Sequence, residues 1–70
     1  MITGKEFKEI RNLKGLSLRD IAKCCNVSAQ LIGQIENDQK AFTENNYKQI
    51  IDALYLATIA KTDSEISKKK

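Results

Sequence analysis

Apolar residues recur three or four positions apart in four stretches of the chain, and a serine or threonine precedes each stretch. This spacing is typical of amphipathic α-helices. It predicts helices at about 3–13, 17–24, 28–36 and 43–60, the last of them without a clear end. No segment shows the sustained alternation of apolar and polar residues that indicates a strand. The sequence therefore predicts an all-α fold.

The residues that precede these stretches are good helix caps. Thr3 with Glu6, and Ser17 with Asp20, match the capping box, in which each side chain accepts a hydrogen bond from the other residue's backbone N–H. The third and fourth helices are predicted to be capped by Ser28 and Thr43. Four caps support four helices.

The predicted helices end at residues that favour turns. Gly15 suits the left-handed conformation that commonly closes a helix, and we expect Asn26 to adopt the same conformation after the second helix. Asn37 and Asp38 are predicted to form the turn that follows the third helix. These stops agree with the starts given by the caps.

The predicted core consists of the apolar residues on the inner faces of the four helices. They are Phe7, Ile10, Leu13, Ile21, Ala22, Cys25, Ile32, Ile35, Ile50, Ile51 and Leu54. This set is about what one small helical core requires, so the 70 residues are expected to form a single domain. We place that domain at residues 1–60, followed by a flexible or weakly helical basic tail at 61–70.

Composition narrows the classes of function. The chain has no His, and its two cysteines, Cys24 and Cys25, are adjacent, which suits neither a disulfide framework nor a zinc site. We therefore expect no enzyme activity, no metal and no cofactor. Reduced cysteines, together with the lack of a signal-peptide pattern or a membrane-spanning apolar run, predict a cytoplasmic protein.

The net charge of +3 is unevenly distributed along the chain. Residues 1–33 carry six basic and three acidic residues, whereas residues 34–67 carry three basic and six acidic ones. The remaining charge comes from Lys68, Lys69 and Lys70, which a purely solubilising end would also contain. The basic first half favours an anionic partner such as nucleic acid.

The second and third predicted helices are short and separated by about three residues, so they must cross steeply, as in a helix-turn-helix. Ala22 provides the small residue where such helices cross, and Asn26 stands in the turn. The apolar residues that would hold both helices to the core are Ile21, Cys25, Val27, Ile32 and Ile35.

This region resembles the helix-turn-helix domain of the phage repressor and Cro type. The family's motif reads approximately G-L-S-Q-E-E-L-A-x-x-x-G-V-S-x-x-x-I-S-x-I-E-N-G, and residues 15–38 read G-L-S-L-R-D-I-A-K-C-C-N-V-S-A-Q-L-I-G-Q-I-E-N-D without a gap. The resemblance covers about residues 5–56. It implies a compact, lambda-repressor-like bundle of four to five short helices. It also implies a regulator of transcription, in our interpretation a repressor, that binds specific double-stranded DNA sequences, usually as a homodimer.

Three features depart from the family. Leu18 stands where the family often has a glutamine that contacts a phosphate, and Asp38 stands where glycine is usual, near the phosphates. The family's fifth helix usually helps dimerisation, but its pattern fades after Leu56. The resemblance therefore implies no hydrogen bond from Leu18 to a phosphate, and it does not extend to the family's fifth helix.

The resemblance assigns roles to individual residues. It places the helix at 28–36 in the major groove, where glutamine can pair with adenine N6 and N7 and a small residue can meet a thymine methyl. The predicted base contacts are Ser28, Ala29, Gln30, Gly33 and Gln34. The predicted phosphate contacts are Ser17, Arg19, Asn37, Gln39 and Lys40. Arg11 and Glu36 occupy the positions of a partly buried structural ion pair.

The alternative function is a protein-interaction module, or an antitoxin-like regulator that docks a protein partner with the same fold. The residues that would form its apolar patch are Leu18, Leu31, Tyr55 and Leu56. If Leu18 and Leu31 project from the DNA-facing surface, docking is favoured. A surface of Gln, Ser, Asn and Lys favours DNA binding.

Overall fold

The computed structural model describes the backbone of residues 1–68 and the side chains of residues 1–63. This part of the chain forms four α-helices and no strand, which confirms the all-α prediction. They are α1 (Gly4–Leu13), α2 (Leu18–Ala22), α3 (Ala29–Glu36) and α4 (Glu44–Lys68). Lys69 and Lys70, the end of the predicted tail, lie outside the described residues.

All four predicted caps are present. Thr3 and Glu6 form a complete capping box at α1, with N–O distances of 2.9 and 3.1 Å, and Ser17 and Asp20 form another at α2. The Ser28 hydroxyl accepts from the N–H of Leu31 at 3.1 Å. At α4, Thr43 exchanges the same two hydrogen bonds with Asn46 that a capping box makes with a glutamate. Local sequence therefore fixes each helix start.

Helices α1 and α3 end in the same motif. After α1, Gly15 has a φ of 68°, its N–H donates to Asn12 O, and the N–H of Leu16 donates to Arg11 O. After α3, Asp38 has a φ of 64° and forms the equivalent bond, and the next N–H donates to Gln34 O. These are Schellman motifs, and the second carries an aspartate where glycine is the usual residue.

The prediction for Asn26 was wrong. Among the described residues only Gly15 and Asp38 have a positive φ, so Asn26 is not left-handed. Helix α2 ends at Ala22 rather than at residue 24, and Lys23 keeps a right-handed backbone at φ −64°. The longer connection to α3 reverses the chain gradually and needs no left-handed residue.

The core lies where α1, α2 and α3 meet the first half of α4. Its buried apolar residues are Phe7, Leu16, Ile21, Val27, Ile32, Ile35, Ile50, Ala53, Leu54 and Ala57. Of the predicted core, Leu13 was wrong, since its side chain is 88% exposed. Leu13 follows Phe7 by six residues, which turns it by about 240° around the helix from Phe7. Arg11 follows Phe7 by four residues, lies only about 40° from it and is buried.

Helix α4 continues to Lys68 instead of ending near residue 60. Residues 44–68 contain no Gly or Pro, so nothing in the sequence interrupts the helix. The segment predicted to be a flexible or weakly helical tail, where the family has its fifth helix, is thus an extension of α4 as far as Lys68. None of the described helices is both long and apolar enough to cross a membrane.

Candidate nucleic-acid interface

The inner side of α3 is fixed by a buried ion pair with α1. The Nε and Nη2 atoms of Arg11 donate to the two carboxylate oxygens of Glu36 at 2.8 and 2.9 Å, and the two residues are 8% and 7% exposed. The Nη1 atom of Arg11 donates to the carbonyl oxygen of Leu16 at 2.8 Å. The hydrogen bond to Glu36 raises the pKa of Arg11. One guanidinium thus joins α1, the loop before α2 and the end of α3.

Gly4 forms a second contact between α1 and α3, which the sequence analysis missed. A Cβ atom at Gly4 would overlap the carbonyl oxygen of Ile35 and lie 2.8 Å from its carbonyl carbon. The backbones of α1 and α3 therefore touch at this point. The available signal was a glycine in the first turn of a helix, where alanine would favour helix formation by about 1 kcal/mol.

The outer side of α3 carries the predicted base contacts. Gln30, Gly33 and Gln34 are spaced by three and four residues, so they share one face, opposite the buried Ile32 and Ile35. Gln30 is exposed, whereas Gly33 and Gln34 are half-buried. The remaining two predicted contacts lie at the start of the helix and are the exposed cap Ser28 and the half-buried Ala29.

Gly33 on this outer side packs against Leu18. A Cβ atom at Gly33 would lie 3.3 Å from the Leu18 Cδ1 atom, which is its one described contact within 4 Å outside the adjacent residues and the backbone of α3. Leu18 is half-buried and packs on the edge of the core. The residue that comes close to α3 at Gly33 therefore belongs to α2.

The loop after α3 gathers three of the predicted phosphate contacts. The carbonyl oxygen of Gln34 accepts from the backbone N–H groups of Gln39 and Lys40, at 2.8 and 3.2 Å. Asn37 caps the end of α3, and its side chain, like those of Gln39 and Lys40, is exposed. The left-handed Asp38 makes this compact loop possible and leaves its own carboxylate exposed beside them.

Ser17 and Arg19, the other two predicted phosphate contacts, are exposed at the start of α2. The Ser17 backbone and hydroxyl hydrogen bonds lower the pKa of Asp20, and the charges of Lys23 and Lys61 lower it further.

Lys61, which sequence analysis did not single out, donates from its Nζ atom to Gly15 O at 2.8 Å. This bond joins α4 to the loop before α2, across 46 positions of sequence that no local pattern could bridge.

The apolar patch considered for a protein-docking function does not project as one surface. Leu18 and Leu31 are half-buried against the core, whereas Tyr55 and Leu56 on α4 are 68% and 50% exposed. Apart from Leu18, Ala29 and Ala41, the outer side of α3 and its flanking loops present mostly polar groups. The criterion set by the sequence analysis therefore favours DNA binding.

Cys24 and Cys25 are free thiols in the turn between α2 and α3, and both are half-buried. The Sγ atom of Cys25 donates to the carbonyl oxygens of Ile21 and Val27 at 3.5 and 3.6 Å. These weak bonds place Cys25 in the packing of the turn. No group of three or more potential metal ligands occurs among the described residues.

A comparison with protein families agrees with this geometry. A family model described as helix-turn-helix matches residues 7–54, which is more than half of the chain and includes most of α1, all of α2 and α3, and the first part of α4. No curated protein and no solved structure matches the chain. The all-helical fold and the family match together show that the chain belongs to the phage repressor and Cro type of helix-turn-helix family, whose members are DNA-binding regulators.

Proposed function

We propose that this protein is a sequence-specific transcriptional repressor that inserts α3 into the major groove of double-stranded DNA. The observation that carries the proposal is the contrast between the two sides of α3. Its inner side is held by Ile32, Ile35 and the Arg11–Glu36 pair, while its outer side presents glutamine amides. A rigid helix with a polar outer side is the arrangement that reads base edges.

In this proposal the base contacts come from Ser28, Ala29, Gln30, Gly33 and Gln34. Gln30 and Gln34 pair with adenine through N6 and N7, and Ala29 meets a thymine methyl group. Gly33 adds no side chain of its own between the glutamines, and the Leu18 Cδ1 methyl group lies beside it. The half-site is therefore rich in A·T pairs.

The phosphate contacts position α3 without reading sequence. Ser17 and Arg19 do so on one side of α3, and Asn37, Gln39 and Lys40 do so on the other. All five side chains are exposed. The Asp38 carboxylate lies among the second group and repels the backbone, so the complex depends on placed contacts more than on bulk charge.

The protein acts as a homodimer in this proposal, and α4 provides the interface. Three large apolar side chains are exposed on one stretch of this helix: Tyr55 (68%), Leu56 (50%) and Ile59 (40%). Covering them with a second copy removes apolar surface from water. A two-fold dimer reads two half-sites about one helical turn of DNA apart.

The first experiment selects binding sites from a randomised duplex library and then measures affinity for the selected duplex and a scrambled one. The Gln30→Ala and Gln34→Ala variants should each lose roughly 5- to 160-fold in this ratio, as expected for one bidentate base contact. Gln49→Ala, which removes a glutamine from α4, is the matched control and should keep the ratio. Circular dichroism checks that each variant is folded.

A salt series separates the two kinds of contact. Affinity of the wild type should fall as salt rises, and Lys40→Ala should reduce the slope of log K against log salt by about 1 without changing the sequence ratio. The proposal fails if no sequence is enriched, or if both glutamine variants keep the ratio while folded. Sedimentation of the complex shows whether two chains occupy one site.

A further inference from the structure

Leu18 is an apolar residue placed beside the DNA-facing side of α3. Its Cδ1 atom lies against Gly33, which follows Gln30 by three residues and immediately precedes Gln34. The side chain is half-buried, so part of it packs against the core and part is accessible to solvent. A leucine methyl group therefore reaches the edge of the surface formed by the two glutamines.

Leucine at this position cannot make the hydrogen bond to phosphate that a polar residue could make. An aliphatic side chain has one way to recognise a base in the major groove, which is contact with the C5-methyl group of thymine. Gly33 keeps this route open, because any side chain there would meet Leu18 Cδ1 at 3.3 Å or closer and displace it. Leu18 and Gly33 thus form a small apolar surface next to the polar surface of Gln30 and Gln34.

We propose that Leu18 is a specificity-determining residue that reads a thymine methyl group in each half-site. This inference rests on the proposed insertion of α3 into the major groove. The thymine belongs to a base pair at the edge of those read by Gln30 and Gln34, on the side of Gly33. Leu18 therefore adds a sequence preference from α2, a helix that otherwise contributes only phosphate contacts.

The test removes single methyl groups from the DNA. In a duplex obtained by selection, each thymine is replaced in turn by deoxyuridine, which lacks only the C5-methyl group. At one position per half-site, wild-type affinity should fall about fourfold, because the complex no longer buries one methyl group. At that position Leu18→Ala should bind the thymine and deoxyuridine duplexes equally.

The comparison is made within each variant, so a partly unfolded Leu18→Ala protein gives the same ratio as a folded one. Leu31→Ala is the matched control, because Leu31 is also a half-buried leucine but follows Gln30 on a different face of α3. It should keep the fourfold preference for thymine. Ala29→Gly tests whether the other small apolar residue reads the same methyl group.

The outcomes separate this inference from the function on which it rests. If selection enriches no sequence, sequence-specific binding itself is wrong. If a sequence is enriched but Leu18→Ala retains the wild-type response to every deoxyuridine, the role of Leu18 is overturned and the repressor proposal stands. The same holds if Ala29→Gly, and not Leu18→Ala, abolishes the preference.

Discussion

Helix α3 makes two contacts of opposite character, one with α1 and one with α2. Against α1 the two backbones touch at Gly4 and Ile35, and a buried bidentate ion pair closes the contact. Against α2 the outward contact is made by one flexible end of a side chain, Leu18 Cδ1, beside Gly33. The first contact has no room for change, whereas the second can adjust by small rotations of one leucine.

The difference separates stability from recognition within a single helix. Because the α1 side fixes the position of α3 through backbone and charge, substitutions there should unfold the protein. Substitutions on the α2 side should leave the fold intact and change what the outer surface can bind. Five predictions test this division, beginning with the largest effect.

Breaking the Arg11–Glu36 pair should be the most damaging change. Arg11→Met leaves the carboxylate of Glu36 buried without its partner, which costs about 3–5 kcal/mol of the free energy of unfolding. Urea unfolding followed by circular dichroism measures this loss. The Arg11→Met/Glu36→Met double variant should be more stable than the Arg11→Met single variant, since no buried charge remains.

The double variant should still not reach wild-type stability. The carbonyl oxygen of Leu16 loses the Arg11 Nη1 donor at 2.8 Å, and an unsatisfied buried group costs about 1–3 kcal/mol. A double variant less stable than the single one would show that the pair does not act as a unit.

Gly4→Ala should be the next most severe change. The added methyl group overlaps the Ile35 carbonyl, which belongs to a helix backbone and cannot rotate away, so we expect a loss of about 2–3 kcal/mol. Thermal unfolding measures it. Lys5→Ala, at the next and exposed position of α1, is the control and should change little. Wild-type stability in Gly4→Ala would mean that α1 and α3 can separate at no cost.

Gly33→Ala is the matched substitution on the α2 side. It should leave the free energy of unfolding unchanged or raise it, whereas Gly4→Ala lowers it. Alanine gains up to about 1 kcal/mol in helix propensity, and the half-buried Leu18 can yield the few tenths of an ångström that the methyl group needs. DNA affinity should nevertheless fall, because the outer surface changes. A strongly destabilised Gly33→Ala protein would contradict the contrast between the two contacts.

Asp38→Gly should stabilise the protein by about 0.5–1 kcal/mol, because its φ of 64° suits glycine better than aspartate. It should also raise affinity for any DNA by removing a negative charge near the phosphates. Asp38→Asn is the control for charge, since asparagine tolerates the same backbone. Equal DNA affinity in all three proteins would place the loop away from the phosphate backbone.

Acid should have the smallest effect and should weaken both helices that touch α3. Hydrogen bonds from Thr3 and Ser17 hold the pKa values of Glu6 and Asp20 below their usual range. A lowered folded-state pKa stabilises above the unfolded pKa, and this contribution disappears as the pH falls through the lowered value, below about pH 4. Thermal unfolding between neutral and acidic pH should show the decline. A Glu6→Gln/Asp20→Asn variant should show a flatter profile.

The sequence predicted what depends on neighbouring residues. Helix starts follow from side chains three residues apart, so Thr3, Ser17, Ser28 and Thr43 could be identified directly. The spacing of Ile32 and Ile35 likewise gave the inner side of α3. Two short consecutive helices were predicted where α2 and α3 lie, although the connection between them is longer than the predicted three residues.

Two wrong predictions concern single helices: Leu13 lies off the buried face of α1, and α2 ends before the turn that contains Asn26. The other missed features depend on packing between distant segments. The contact of Gly4 with Ile35 joins residues 31 positions apart in the chain. The base and phosphate contacts remain predictions, because they are made with DNA rather than within the chain.

Because α4 is unbroken, the number of its residues sets both distance and direction along the helix. Each residue of an α-helix advances the chain by about 1.5 Å and turns it by about 100°. The number of residues along α4 therefore fixes the angle around the helix between the buried Ile50 and the exposed Ile59. Because Ile50 packs in the same core as α3, this number also sets the direction of Ile59 relative to α3. Inserting one residue after Leu54 would rotate the exposed apolar side chains by roughly a quarter turn. In a dimer built on α4, operator spacing would thus be encoded in helix length.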